Sequence, residues 1–169
     1  MDAIKAILSR RSIRKYLKKP LPENLAEVLL KCAMSAPSAG NQQPWHFVVI
    51  DDKEILSKIP SCHPYAEMVP EAKLAILVCG DLTRDVHKGF WVQDCSAATQ
   101  NILIAANALG LGAVWLGVYP RESRVEGLKN LLGIPEEIIP FSLIPVGWPA
   151  EKKPPSNRYK KTKIHRNHW

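Results

Sequence analysis

Residues 90–118 read FWVQDCSAATQNILIAANALGLGAVWLGV, and how this stretch divides decides the fold. Its later part, Ile102 to Val118, is the longest mostly apolar run in the chain. Asn107 and three glycines interrupt it, which argues against a membrane span. Phe90 to Leu109 reads instead as a long buried helix, with Gly110 as its C-terminal cap. Gly112 to Val118 then reads as a buried strand. Working outward, Lys73 to Cys79 is an apolar run expected at the centre of a sheet. Trp45 to Ile50 and Phe141 to Trp148 read as further strands. Leu21-Pro22-Glu23 opens a helix with Leu25, Val28, Leu29, Cys32 and Ala33 on one face, ending before Pro37. Asp52 to Ile59 forms a short helix stopped by Pro60. Arg121 to Leu132 forms another, closed by Gly133. Asp2 caps a first short helix running through Arg10. About four strands alternate with helices, which predicts an α/β or α+β layer arrangement. No internal repeat and no linker precede residue 149, so residues 1–169 are expected to form a single domain.

Composition narrows the class. Of the 169 residues, 46% are hydrophobic and 23% charged, as in ordinary globular chains. Met1 to Ile13 mixes charged and apolar residues, so no secretory signal is expected and the cytoplasm is the expected compartment. The four cysteines Cys32, Cys62, Cys79 and Cys95 contain no CxxC pair. Two disulfides are conceivable, but a chain with a normal core does not need them, and free thiols are expected. The net charge of +7 is uneven. Residues 1–19 and residues 151–169 each hold seven Lys/Arg against one acid, while the middle is acidic. Two solvated basic ends would suit nucleic-acid binding. Two ends converging on one phosphate would give the same charge pattern. Charge alone does not separate them.

Two clusters offer chemistry. Arg10-Arg11-Ser12-Ile13-Arg14 sets three guanidinium groups and a hydroxyl within five residues. Arginine grips phosphate through paired, charge-assisted hydrogen bonds, and in extended backbone Arg10, Ser12 and Arg14 share a side. A lone cluster of this kind is equally an ordinary solvated turn. Pro37-Ser38-Ala39-Gly40-Asn41-Gln42-Gln43-Pro44-Trp45 is a loop of small and amide residues. Small side chains admit a flat ring, and Asn41 and Gln43 carry donors and acceptors for a heterocycle edge. An ordinary Asn-Gly turn has the same composition.

Taken together, RRSIRKY and APSAGNQQPWHFVVI some twenty residues on resemble the nitroreductase family. The segment near Gln93-Asp94, GLGAVWLGVYP and a tail with an arginine and a terminal Trp extend the resemblance over the whole chain. It implies an α+β fold with a central, mostly antiparallel sheet and an extended C-terminal tail, residues 149–169, exchanged with a partner subunit. It implies a homodimer with FMN at the subunit interface, reduced by NADH or NADPH. It implies no nucleic-acid or membrane partner and no metal. Arg10, Arg11 and Ser12 would hold the FMN phosphate and ribityl chain. Arg14 would stand near the flavin N1 and O2 and stabilise added negative charge there. Pro37, Ser38, Ala39 and Asn41 from the other subunit would line the ring, with Gln43 close by. The backbone of Leu116-Gly117 would approach N5, and Arg158 would return to the phosphate. Many family members carry a lysine two residues before that arginine; here the position is Ser156, with Lys152, Lys153 and Lys160 nearby.

The implied activity is electron transfer from NAD(P)H through the flavin to a nitroaromatic, quinone or activated alkene, with ping-pong kinetics. Rival readings are reductive dehalogenation or flavin fragmentation on the same fold, and a basic nucleic-acid-binding protein. Gly110-Leu-Gly112 lacks the third glycine and the following helix of a dinucleotide fingerprint. His165-x-x-His168 lacks companion ligands and reads as solvated tail. Adjacent Cys62-His63 reads as polar loop. Asp94-Cys95-Ser96 reads as helix packing and hydrogen bonding, and Trp91 and Trp115 as core.

Overall fold

The computed structural model describes residues 1–169. In chain order the elements are α1 (Ala3–Ser9), α2 (Leu25–Met34), β1 (Trp45–Ile50), α3 (Lys53–Cys62), β2 (Leu74–Asp81), α4 (Trp91–Ala108), β3 (Gly112–Ala113), β4 (Leu116–Gly117), α5 (Glu122–Leu132) and β5 (Ile138–Gly147). The sheet runs β1-β2-β5-β3, with β4 also on β5, and every pairing is antiparallel. β3 and β4 keep one register against β5: Ala113 faces Val146 and Leu116 faces Leu143. They are the two ends of the single strand expected over 112–118, interrupted at Val114 and Trp115.

Burial explains why β2 is apolar throughout. Leu74, Ile76 and Val78 join the core shared with α2 and α4. Ala75, Leu77 and Cys79 join a second core with Leu56, Ile59, Val125 and Leu128 of α3 and α5. Alternate residues point to opposite faces. Both faces are helix-covered, so the run needs no polar positions. The unbroken apolar run thus reflects two covered faces rather than parallel pairing.

Local chemistry sets the helix ends. Asp2 accepts from Lys5 N at 2.9 Å, and Asp52 from Glu54 N and Ile55 N. α4 ends as expected: Gly110 is left-handed (φ 78°) and Leu111 N donates to Ala106 O. Two expectations shift. α3 continues through Pro60 to Cys62, because the ring lies in its last turn and the helix is already established before it. β5 begins at Ile138 rather than Phe141 and contains Pro140 and Pro145. Pro140 sits beside the register shift between Val78 and Cys79, where a missing N–H is tolerated. No helix is long and apolar enough to cross a membrane.

One packing detail positions everything that follows. Gly112 and Gly147 face each other across β3 and β5. Ile13 lies on Gly112 and Tyr16 on Gly147, so residues 12–17 cross the sheet where two side chains are missing. A Cβ at Gly112 would lie 2.6 Å from Ile13 Cγ2. Gly112→Ala should therefore overpack this crossing and cost about 1–3 kcal/mol, read by chemical denaturation. Unchanged stability would show that the crossing is loosely seated.

Candidate functional site

The crossing segment is fixed by backbone bonds. Ile13 N donates to Ala113 O at 3.0 Å, and the Tyr16 hydroxyl donates to Ile13 O at 2.8 Å. Ile13 and Tyr16 are buried, while Arg14 is exposed. The C-terminal segment returns alongside. Leu17 N donates to Trp148 O and Ala150 N to Lys15 O, each at 2.8 Å. Lys153 Nζ donates to Ser12 O at 2.8 Å, Arg11 to the Pro154 carbonyl, and Arg14 N to Glu151 Oε1 at 2.5 Å. Residues 149–154 therefore lie on their own chain, whereas 159–169 are exposed and end with Trp169 stacked on His165.

This return brings Arg10, Arg11 and Arg158 to one corner. Burial first, then the charges of Arg158 and Arg11, hold the Arg10 guanidinium below its ordinary pKa. Arg10, Arg158, Gln100, Ser156 and Asn157 line a cavity of about 360 Å³ whose wall includes no carboxylate. The nearby acid, Glu151, is engaged with Arg14 N and Lys153. Where many relatives would have lysine, Ser156 lines the cavity, and Lys153 reaches the Ser12 carbonyl instead. A corner with converging cations and no counter-charge suits a phosphate.

The small-residue loop is built differently. Ala39–Asn41 form a 3-10 turn, and Gly40, Asn41 and Gln43 have positive φ. Asp94, buried in the first turn of α4, organises it: Ala39 N donates to Oδ1 at 2.9 Å and Gln42 Nε2 to Oδ2 at 2.7 Å. Gln42 Oε1 in turn accepts from His87 N at 3.0 Å. Gln43 donates to Asn41 Oδ1 and, through its backbone, to Ser38 Oγ. Pro37, Asn41 and Gln43 are exposed, and Ser38 and Ala39 half-buried. Asp94, expected from sequence to serve packing and hydrogen bonding, and Gln42, which sequence does not single out, are thus structural keys of the loop.

Leu116 is buried and Gly117 half-buried. The Gly117 carbonyl accepts from His63 Nε2 at 2.9 Å and from Arg124 at 2.7 Å. His63 is buried rather than part of a polar loop. Burial holds its pKa below the ordinary value. Trp91 is buried and stacks edge-on with Phe141 and Tyr119, and Trp115 with Phe141, as core residues do.

The loop and the arginine corner belong to separate parts of α4. Asp94 holds the loop, whereas Asn107 holds the end of α1 through Ala6 O and Ser9 Oγ, both at 2.9 Å. Asp94 and Asn107 are about 20 Å apart in helix rise, and Gln100, in the wall of the arginine cavity, lies about 9 Å from Asp94.

Asp94→Ala should leave two loop donors without their carboxylate and cost about 1–3 kcal/mol of stability. Hydrogen exchange should show lost protection at the Ala39 amide. Full protection there in the variant would remove Asp94 from this role.

Comparison with known proteins agrees with this geometry. The sequence profile described as the nitroreductase family matches residues 7–78 and 60–148. A Methanothermobacter thermautotrophicus protein with the working name NADH dehydrogenase/NAD(P)H nitroreductase is 53% identical over 169 residues, covering 100% of this chain and 88% of that one. A crystal structure of a protein with the same working name from Bacteroides thetaiotaomicron superposes with TM-score 0.94 at 43% identity, over 99% of this chain and 98% of that one. A crystal structure from Desulfovibrio desulfuricans, of a protein with the working name nitroreductase in complex with FMN, gives TM-score 0.86 at 30% identity, over 100% and 98% of the chains. Two basic termini meeting over a glycine crossing, an amide loop keyed to the long helix, and this breadth of likeness agree: the chain belongs to the nitroreductase family, whose members are oxidoreductases.

Proposed function

We propose that this chain binds FMN between two copies of itself and transfers electrons from NADH or NADPH to a small acceptor. The observation that carries the reading is the corner of Arg10, Arg11 and Arg158, with no carboxylate in its cavity wall. Such a corner fits a phosphate group of the kind FMN carries. Ser12, beside the corner, supplies a hydroxyl for the phosphate or ribityl chain. Gly117 leaves open space where a side chain would stand, which fits the approach of a flat ring. Pro37, Ser38, Ala39, Asn41 and Gln43 would line that ring from a second copy, as the family resemblance implies. Ile4, Ile7 and Leu8 of α1, and Ile164 and Trp169 of the tail, are exposed apolar side chains that a second copy would cover. Residues 1–169 would then act as one domain whose last ten residues dock on the partner.

When bound, FMN would supply two-electron transfer between NAD(P)H and the acceptor in two separate half-reactions, which gives ping-pong kinetics. The protein's own groups bind and orient. Arg10, Arg11 and Arg158 hold the phosphate. Arg14, exposed and without a side-chain partner in its own chain, presents its charge to N1 and O2. Nitroaromatics, quinones and activated alkenes are the expected acceptors.

The purified protein should carry FMN, sediment as a dimer and bleach at about 450 nm when titrated anaerobically with NADH or NADPH. Initial rates against an acceptor panel should give parallel reciprocal plots. A colourless protein that does not take up added FMN would overturn the reading.

Arg10→Ala should weaken FMN binding about 10- to 100-fold, the effect of one lost charged contact. Titration of apoprotein measures this, and unchanged affinity would place the phosphate elsewhere. Arg14→Gln should keep FMN but lower its midpoint potential by tens of millivolts, about 30 mV for each 1.4 kcal/mol of lost preference for the reduced ring. Loss of FMN with an unchanged potential in the remaining holoprotein would make Arg14 an anchor instead.

A further inference from the structure

We infer that Arg124 and Tyr65 form a subsite for the carboxylate of an acidic acceptor, beside the strand edge where the flavin N5 would lie. This rests on the reading above, in which the Leu116-Gly117 backbone approaches N5.

The subsite starts from one fixed peptide. Val118 N donates to Phe141 O at 3.1 Å, which holds the Gly117–Val118 peptide against β5. This peptide is trans, and a trans peptide points its C=O opposite to its N–H, so the Gly117 carbonyl faces away from β5. There it accepts from Arg124 Nη1 at 2.7 Å and from His63 Nε2 at 2.9 Å. β4 pairs only with β5, so the carbonyl anchors the guanidinium at an open strand edge. A Cβ on Gly117 would meet nothing within 4 Å, which leaves room beside this anchor.

The anchor itself does not call for a cation. A carbonyl is neutral, and His63 already serves it. Tyr65 N donates to His63 Nδ1 at 3.2 Å, which leaves the ring proton on Nε2. Burial holds this imidazole below its ordinary pKa, so it adds no positive charge at neutral pH. Arg124 does add one, and it takes part in none of the chain's ion pairs. Lys153, which also donates to a backbone carbonyl, differs: Glu151 lies 3.3 Å from it. Glu122 and Glu126 stand two residues to either side of Arg124 on α5, a spacing that turns them to another helix face. They line a different cavity with Trp91 and Tyr119. The bond to Gly117 O uses one of five guanidinium N–H groups and is the only hydrogen bond that Arg124 side chain makes. A half-buried cation is left with free donors and no counter-charge.

Tyr65 completes the shape. Its ring lies against the guanidinium, with 5.4 Å from Cζ to the ring centroid. The residue is 67% exposed, and its hydroxyl makes no hydrogen bond within the chain. A planar carboxylate matches the paired N–H directions of a guanidinium, and a free hydroxyl beside it offers a further donor. Position selects the molecule. An anion held here sits close to the atom that hands over the electrons. In NADH and NADPH a ribose separates the nicotinamide from the nearest phosphate, whereas a carboxylate on an acceptor's own ring meets the short spacing. Carboxylated nitroaromatics and quinones are therefore the acceptor class. The electron transfer is the one proposed above; the subsite adds recognition and no further step.

The test pairs 4-nitrobenzoate with its neutral counterpart 4-nitrobenzamide. Each is titrated into oxidised holoprotein, followed by flavin absorbance, and then used as acceptor. Wild type should bind the acid more tightly than the amide. Arg124→Gln keeps a donor for Gly117 O and loses the charge. It should lower the acid-over-amide ratio about 5- to 30-fold in affinity and in kcat/KM, mostly through KM. Arg124→Lys should recover part of the ratio, and Tyr65→Phe should lower it about 2- to 5-fold. Added salt should shrink the wild-type ratio and leave that of Arg124→Gln flat. Tyr65 is mostly exposed, so Tyr65→Phe and the salt series carry the test if Arg124→Gln fails to fold. Wild-type holoprotein that binds the acid no more tightly than the amide overturns this inference alone. An equal loss on both compounds in Arg124→Gln also overturns it, since Arg124 would then only pack α5 against β4. So does slower flavin reduction by NADPH but not by NADH with an unchanged acid-over-amide ratio, which would give the charge to a phosphate of the reductant. Wild-type protein that binds no FMN overturns the functional reading itself, and this inference with it.

Discussion

The structure depends on the backbone pairing between residues 15–17 and residues 148–150, seated across Gly112 and Gly147. Two strongly basic ends should avoid each other. Here Leu17, Trp148, Lys15 and Ala150 exchange backbone bonds that leave the ends no choice. Side chains extend the zipper, with Lys153 on Ser12 O and Arg11 on the Pro154 carbonyl. Carbonyl oxygens thereby accept from both cations, and Lys153 also pairs with Glu151. Burial first, then the charges of Arg158 and Arg11, lower the pKa of Arg10, and a dianion placed there would act against both causes.

The sheet and α4 then distribute the remaining parts. β2 is buried on both faces, so the sheet is a rigid plate between two helical layers. α4 lies on one layer and spaces its attachments by helix rise. Asp94 fixes the amide loop near one end, and Asn107 fixes α1, and with it the start of the arginine segment, near the other. Their separation is a property of a regular helix, so it does not depend on loop conformation.

Much of this was legible in the sequence for identifiable reasons. β1 matches its expected bounds because WHFVVI is flanked by Pro44 and Asp51-Asp52, a clear stop and a clear cap. α4 and its Gly110 end follow from apolar periodicity and a left-handed glycine. Arg10 and Arg11 of the corner were readable because they lie in one basic cluster of five residues, whereas Arg158 was reached only through the family resemblance. Gln42, His63 and Arg124 were not, and Asp94 was readable as a packing and hydrogen-bonding residue but its partners were not. Their partners lie 52 to 55 residues away for Asp94 and 54 for His63, and those partners are mostly backbone groups that carry no sequence signal. Arg124 is close in sequence to Gly117, seven residues off, but an arginine on a helix surface is too common to single out. Pro60 misled in the other direction: proline forbids a bond to the preceding turn but does not forbid the turn in which it sits.

The two halves of the candidate site work by different physics. The arginine corner acts through net charge in a partly buried place. Its contribution depends on how many like charges the fold forces together, and salt screens it. The Gly117 carbonyl is neutral and accepts from two donors within the chain. It adds little to affinity through charge. Val118 N on Phe141 O and the pairing of Leu116 with Leu143 hold both peptides around Gly117 against β5, so this glycine presents a fixed backbone edge to whatever lies beside it. The hold of the corner on a phosphate therefore weakens as salt rises, whereas the shape of the backbone edge does not change with it.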